Sequence, residues 1–176
     1  FGVKLRTETS VNETLGAYKT ELDNFQSFSS KAKNIRNDNF NYLPELVDDF
    51  AKFKDVLSNV MVRNLYDLQM LSAFHMAFSQ NACNFAVPGA GKTSIVYGAY
   101  AYLRSLPADD PNHVEKLLVI GPLSSFAPWE KEYNKCFGFK PESQRLSGDA
   151  KISRVQKERH LYSSTPKELT LMNHSG

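Results

Sequence analysis

The stretch 84-NFAVPGAGKTSIVYG-98 sets a short apolar run directly before a glycine-rich turn that ends in Lys92-Thr93. Gly89 and Gly91 allow the backbone to curl tightly and to approach a ligand where a Cβ would obstruct it. The residues after the turn are predicted to form a helix, and the free N–H groups at a helix N-terminus favour anions. The stretch therefore predicts a site that cradles phosphate groups.

The eight residues from Ala86 to Thr93 fit the P-loop pattern G-x-x-x-x-G-K-[ST], with alanine in place of the first glycine. In such a loop the lysine reaches the β- and γ-phosphates, and the hydroxyl of the last residue binds Mg²⁺. ATP and Mg²⁺ are therefore the expected cofactors, with Lys92 and Thr93 as the catalytic candidates and Thr93 as the metal ligand. The loop residues expected to bind the nucleotide are Pro88, Gly89, Ala90, Gly91, Lys92, Thr93 and Ser94.

The composition is that of an ordinary soluble globular protein. Of the 176 residues, 41% are hydrophobic and 23% are charged, and the formal charge of +2 is too small to indicate nucleic acid by itself. No apolar run reaches the roughly 18 residues of a membrane-spanning helix, so no membrane is expected. Cys83 and Cys136 lie far apart and form no CxxC pair. We therefore expect both thiols to be reduced and the protein to be cytoplasmic, or nuclear if it comes from a eukaryote. Because the chain begins at Phe1, its numbering is expected to start inside a longer protein.

Residues 1–62 are predicted to form an accessory helical region. Ser10 and Glu13 fit a capping box at the start of a helix. Apolar residues then recur three and four positions apart, as on one helix face, at Val11, Leu15, Tyr18, Leu22 and Phe25. The Asn-rich stretch 34–41 predicts a loop. After Pro44 the same spacing resumes, and both apolar faces are expected to pack on the body of the protein; the second face consists of Leu46, Phe50, Phe53, Leu57 and Val60.

Residues 63–176 are predicted to form the first part of an α/β domain. Helices are expected at about 65–79, 92–106, 126–137 and 150–162, and strands at 82–87, 116–121, 144–146 and 168–172. Strands that alternate with helices predict a parallel sheet with helices on both faces. Because the last strand runs almost to the C-terminus, the sheet is expected to be incomplete.

The alanine-first loop is similar to the A-x-x-G-x-G-K-[ST] loop of superfamily 2 helicases and translocases. Upstream of it, 65-LYDLQ-69 resembles the L-R-x-Y-Q segment of that family, in which the glutamine contacts adenine. Tyr66 and Leu68 stand where the family has arginine and tyrosine. The resemblance implies that Gln69 belongs to the nucleotide-binding residues.

Downstream, 116-KLLVIGPLSSFAPWEKEY-133 resembles motif Ia of the Swi/Snf-like branch, in which a strand, a proline and small polar residues precede W-x-x-E. The resemblance implies that Ser124 and Ser125 contact the DNA backbone without reading its sequence. Trp129 is expected to pack its helix onto the sheet. A further segment, 146-LSGDAKISR-154, is similar to the strand and G-x(5)-R of the same branch, with Gly148 and Arg154.

This resemblance covers about residues 65–172 and implies the N-terminal RecA-like lobe, a P-loop NTPase fold, of a DEAD/DEAH-related motor. Such a motor binds ATP with Mg²⁺ and couples its hydrolysis to movement on nucleic acid, here duplex DNA. The sequence itself does not separate a DNA track from an RNA track.

The acidic motif that a P-loop motor needs to hold Mg²⁺ and orient water is missing. The family writes it as D-E-x-H or D-E-A-D at a strand end, and this sequence contains no Asp-Glu pair. The acidic doublets at residues 48–49 and 109–110 are expected in a helix and in a loop. The acidic motif and the second RecA-like lobe are therefore expected beyond Gly176. The chain alone is expected to bind nucleotide weakly and to be inactive as an enzyme.

Three alternatives stay open at this point. The motor subunit of a restriction or phage-defence system uses the same lobes, and these motifs do not separate it from a helicase. A P-loop switch or kinase without a nucleic-acid role has no need of the W-x-x-E segment. A non-catalytic scaffold with a vestigial loop is hard to reconcile with the intact Gly-Lys-Thr.

Overall fold

The computed structural model describes residues 9–37, 43–79, 81–146 and 167–173. In the first helix, every side chain is described from residue 29 onward, and only some of them before it. This part of the chain is mixed α/β, as predicted, and a short 3-10 helix at Leu123–Ser125 leads into its last α-helix. The helices and strands, in chain order, are α1 (Thr9–Arg36), α2 (Pro44–Val60), α3 (Asp67–Ala77), α4 (Lys92–Ser105), β1 (Leu117–Gly121), α5 (Phe126–Phe137), β2 (Ser143–Leu146) and β3 (Leu169–Asn173).

The three described strands form a parallel sheet in the order β1-β3-β2. The central strand is the most buried of the three, and its Leu169 and Leu171 are fully buried. Helix α5 supplies the crossover from β1 to β2 that parallel pairing requires. The predicted parallel sheet is confirmed for these strands. The charged helix predicted at 150–162, together with Gly148 and Arg154, lies outside the described residues.

The strand predicted at residues 82–87 is absent from the described structure. The segment has no regular secondary structure and joins none of the described strands. Phe85 and Val87 are 92% and 71% exposed, whereas the residues next to them in the segment, Asn84 and Ala86, are half-buried. A strand needs a neighbour that bonds its N–H and C=O groups, and none of the three described strands lies beside this segment. The prediction failed because a short apolar run does not by itself provide a partner strand.

One buried apolar cluster joins α2 to the helices around the glycine turn. Helix α2 contributes Leu46, Phe53 and Leu57, each at most 3% exposed. Phe53 packs against Phe74 of α3, whose ring lies 5.4 Å away, and against Tyr102 of α4, whose ring lies 5.1 Å away. The prediction that this apolar face packs on the body of the protein is confirmed for α2. The domain boundary at residue 62 stays a prediction.

Three details of the N-terminal region differ from the sequence-based expectation. Helix α1 continues to Arg36, into the stretch predicted as a loop, because the fully buried Ile35 gives its last turn an apolar contact. Ser10 lies inside α1 and therefore does not cap it, since a capping residue has non-helical backbone angles. Val60 ends α2 at 43% exposure, and Met61 enters the core instead. Residues 38–42 and the side chains of the predicted α1 face lie outside the described part.

Candidate nucleotide-binding site

The loop between residues 86 and 92 makes a tight turn at the start of a helix, as predicted. Gly89 and Gly91 have φ angles of +85° and +80°, a left-handed conformation that strongly favours glycine. Gly91 is the N-terminal cap of α4, so Lys92 is the first helical residue. A Cβ on Gly89 would meet no atom within 4 Å, so the backbone conformation, not crowding, requires glycine there.

Several backbone donors at this turn are open. The N–H of Ala90 donates to the carbonyl of Val87 at 3.2 Å and closes the curl. The N–H groups of Gly91, Lys92 and Thr93 have no acceptor among the described residues. They stand at the positive end of the α4 dipole, where an anion is favoured.

Lys92 places its ammonium group directly on the loop. Its Nζ donates to the carbonyl oxygens of Ala86 at 2.6 Å and Val87 at 3.1 Å. The side chain is exposed, and no carboxylate in the described part of the chain pairs with it. A positive charge with only neutral partners can exchange them for phosphate oxygens, because charge-assisted hydrogen bonds are stronger.

Gln69 ties α3 to the loop. Its side chain is 9% exposed, its Oε1 accepts from the N–H of Tyr66 at 3.1 Å, and its Nε2 donates to the carbonyl of Ala90 at 2.9 Å. An amide side chain carries two N–H donors and two lone pairs on oxygen, so one of each remains for a ligand. The adenine contact of Gln69 stays a prediction, and the structure adds a second role in supporting the loop.

A polar network that the sequence did not indicate connects α4 to α5. Ser94 is fully buried, and its hydroxyl donates to Oε1 of Glu132 at 2.7 Å. Arg63 pairs with the same carboxylate oxygen, and Lys135 lies 3.3 Å from the other. Burial alone would raise the pKa of the Glu132 carboxyl, but Ser94, Lys135 and Arg63 outweigh it and hold the pKa below its ordinary value. The nucleotide contact of Ser94 stays a prediction that can involve only its backbone, since its hydroxyl is committed to Glu132.

The remainder of the W-x-x-E segment is structural. Trp129 packs between the two apolar clusters, which confirms its predicted role of holding α5 on the sheet. The Trp129 ring lies 5.4 Å from that of Tyr97 in an edge-to-face arrangement, and the Tyr97 hydroxyl donates to the backbone carbonyl of Trp129 at 2.8 Å. Burial raises the pKa of the Tyr97 hydroxyl well above its ordinary value, so this donor keeps its proton at neutral pH. Helices α4 and α5 are thus fixed to each other at two points.

The two serines predicted to contact DNA follow the carboxyl end of β1. Ser124 is exposed, whereas Ser125 is half-buried and donates its hydroxyl to the carbonyl of Pro122 at 2.7 Å. No side-chain hydrogen bond from Ser125 caps α5. The DNA contact stays a prediction, and Ser124 is the residue of the two with an accessible side chain.

The described residues contain no group of three or more His, Cys, Asp and Glu side chains arranged to hold a metal ion. The acidic doublets lie where they were predicted, at residues 48–49 in α2 and at residues 109–110 in the loop after α4. Thr93 is half-buried, and its Mg²⁺ contact stays a prediction. In the described part of the chain, no helix is both long enough and apolar enough to cross a membrane.

A scan against models of known protein families finds no match to this chain, and a search of curated proteins finds none either. The resemblance to superfamily 2 motors therefore rests on the motifs of this sequence. The geometry of the loop around Gly91 and Lys92 is an independent observation that bears on the same site.

Proposed function

We propose that the loop from Ala86 to Thr93 binds ATP with Mg²⁺, and that the chain is part of the first RecA-like lobe of a DNA-translocating motor of the Swi/Snf-like type. The observation that carries the proposal is the convergence at one point of two left-handed glycines, the open N–H groups of a helix N-terminus and a lysine without a carboxylate partner among the described residues. Each of these features favours phosphate, and together they form a cradle for it.

Each residue of the cradle has a distinct task in this proposal. The N–H groups of Gly91, Lys92 and Thr93 bind phosphate oxygens, and the Lys92 ammonium moves from the carbonyls of Ala86 and Val87 to the β- and γ-phosphates. The Thr93 hydroxyl holds Mg²⁺, which when bound neutralises charge on the same phosphates. Gln69 and Glu132 keep the loop and α4 in place from two sides.

The bond between Ser94 and Glu132 supports a motor over a simple nucleotide switch. It joins the helix that begins at the phosphate cradle to the helix that follows the turn expected to contact DNA. A shift of that turn on the DNA backbone is transmitted through α5 and Glu132 to α4. A coupling of this kind is what a motor requires between its track and its nucleotide.

A calorimetric titration with ATP and Mg²⁺ tests the nucleotide site. We expect Lys92→Ala to abolish ATP binding at this loop, because the phosphate charge loses its partner, while the melting temperature stays within a few degrees of wild type because the side chain is exposed. Lys131→Ala, on the exposed surface of α5, is the control and should bind as wild type does. Equal ATP affinity in all three proteins would exclude the loop as the phosphate site.

The DNA part of the proposal is tested separately in a protein that includes the second lobe. Replacing Ser124 and Ser125 by glutamate places negative charge against the phosphate backbone, so duplex binding should weaken for all sequences alike and most at low salt. DNA-stimulated ATPase activity should fall more than basal activity. If DNA affinity at low salt is unchanged, this turn does not lie on the DNA path, and a nucleotide switch or kinase becomes the better reading.

A further inference from the structure

A second concave site lies beside the segment that leads into the phosphate cradle. A cavity of about 380 Å³ opens between the end of α1, the end of α3 and residues 81–85, and one of about 200 Å³ adjoins it. Arg36, His75, Cys83 and Phe85 line both. Gln69, which touches the loop, precedes His75 by six residues of helix, or about 9 Å along its axis at 1.5 Å per residue. None of the residues that line the two cavities belongs to the loop from Ala86 to Thr93, although residues 84 and 85 adjoin that loop at Ala86.

The lining of this cavity is positive. Lys33 and Arg36 project from the last turns of α1, His75 comes from α3, and no Asp or Glu among the described residues lines either cavity. No carboxylate among the described residues forms an ion pair with Lys33 or Arg36. Basic side chains that converge on a concave surface without counter-charges attract an anion.

A buried donor without a partner lies in the same place. The Nδ2 atom of Asn84, which lines the smaller cavity, is inaccessible to solvent and has no hydrogen-bond partner in the described structure. Its orientation is fixed because Oδ1 accepts from the N–H of Ala86 at 3.0 Å. Buried polar groups are almost always bonded, and an unsatisfied one is costly, so this amide points to an acceptor that is not part of the described chain. At the rim, the Phe85 ring is 92% exposed and offers an apolar face.

We propose that this cavity binds a small phosphate-bearing anion, with its charged oxygens on Lys33, Arg36 and His75 and an acceptor atom on the Asn84 amide. Phe85 provides a surface for a ring if the phosphate belongs to a nucleotide. The site is independent of the cradle at Lys92 and stands whether or not that loop binds ATP.

The proposal includes a pH dependence with a definite sign. Burial, and then the charge of Arg36, lower the pKa of the His75 imidazole, so less of it is charged at neutral pH than in a free histidine. Lys33 and Arg36 are the charged groups that share this cavity with it, and Cys83 is the titratable group on the third wall. An anion held beside the ring is favoured when the ring is charged. Binding of sulfate, whose own charge is constant over this range, should tighten as the pH falls below neutrality.

Alkylation of Cys83 by iodoacetamide gives a local readout. The chain has two cysteines, and Cys83 is exposed whereas Cys136 is fully buried. Burial and the nearby Glu132 raise the pKa of the Cys136 thiol to about 11, so it stays protonated and unreactive at neutral pH. The labelling rate is measured with sulfate, pyrophosphate or AMP, each against chloride of equal ionic strength. We expect protection by these anions and none by chloride.

Charge-matched variants test whether the anions protect Cys83 by binding in this cavity. Lys33→Gln with Arg36→Gln should raise the anion concentration for half-protection by about tenfold or more, since two charge-assisted contacts are lost. Lys19→Gln with Lys52→Gln, which removes the same charge from exposed positions of α1 and α2, should leave it unchanged. All four side chains are exposed, and a thermal melt confirms that each variant is folded.

Two further comparisons identify the class of ligand and distinguish binding in this cavity from binding at the phosphate cradle. Stronger protection by AMP than by pyrophosphate indicates a nucleotide with its ring on Phe85, and the reverse indicates a free phosphate compound. Protection should persist in Lys92→Ala, so a failure of the proposed ATP site leaves this result intact. Equal labelling rates in chloride and in all three anions, or equal loss of protection in both double variants, would overturn the proposal.

Discussion

Replacing Gly91 by alanine tests how the loop is held against α3. A Cβ at this position would stand 2.5 Å from Nε2 of Gln69, which is too close for any contact. The side-chain amide is the far end of a flexible chain, so it can move, but only by giving up its bond to the Ala90 carbonyl. Gly89 provides a matched control, because its φ is almost the same and a Cβ there would meet nothing within 4 Å.

The two substitutions differ by one hydrogen bond. The left-handed conformation costs an L-residue about 1–2 kcal/mol, and this loss of stability applies to both variants. Gly91→Ala also loses the bond from Gln69 to Ala90, which is worth about 0.5–1.5 kcal/mol net. We therefore expect Gly91→Ala to lower the free energy of unfolding by about 1.5–3.5 kcal/mol and Gly89→Ala by about 1–2 kcal/mol.

Urea unfolding followed by the fluorescence of the single tryptophan, Trp129, measures both values. The double variant Gln69→Ala with Gly91→Ala completes a thermodynamic cycle, since the added methyl group no longer meets an amide. The losses should then be less than additive, by about 0.5 kcal/mol or more. If Gly91→Ala is no more destabilising than Gly89→Ala, or if the cycle is strictly additive, Gln69 does not support the loop.

Two further pairs of variants test the packing of α4. Gly98→Ala should destabilise the fold by about 1–3 kcal/mol, because its Cβ would lie 2.8 Å from Leu65 and 3.1 Å from Ala73 of α3. Gly16→Ala, with nothing within 4 Å, should stabilise α1 by up to about 1 kcal/mol. Equal effects of the two substitutions on the free energy of unfolding in urea would contradict the packing of α3 on α4. Glu132→Gln should cost about 1–3 kcal/mol at neutral pH, and the exposed Glu142→Gln close to nothing. The folded-state pKa of Glu132 is lowered, so its contribution to the free energy of unfolding is present above the ordinary carboxyl pKa and is lost as the pH falls through the lowered value. If plots of unfolding free energy against pH for wild type and Glu132→Gln stay parallel into the acid range, this expectation is refuted.

The sequence predicted the elements whose signals are local. Two glycines before a lysine predicted the turn at Gly89 and Gly91, and the helix predicted at 126–137 coincides with α5, which is capped by Gly138 at a φ of +80°. The strands at 117–121 and 169–173 were found because short segments rich in aliphatic residues, LLVI in the first and LTLM in the second, are typical of strands. The apolar face of α2 was found because its apolar residues recur at the spacing of a helix.

The sequence could not predict what depends on pairing between distant residues. Ser94 and Glu132 carry no mutual signal, and their contact exists only because α4 and α5 lie side by side. The segment 82–87 is a short apolar run of the kind that forms strands, but whether it pairs depends on a neighbour that its own residues do not specify. The cavity between α1 and α3 was missed because Lys33, Arg36 and His75 are scattered along the chain and converge only through the fold.

The central claim is that the loop from Ala86 to Thr93 holds the phosphates of ATP, and amide NMR of the nitrogen-15-labelled protein tests it most directly. Addition of ATP with Mg²⁺ should cause the largest chemical-shift changes at the N–H groups of Gly91, Lys92 and Thr93, which are the open donors of the loop. These changes should vanish in Lys92→Ala. Unchanged loop amides at saturating ATP, or changes confined to the surroundings of Arg36 and His75, would contradict the account.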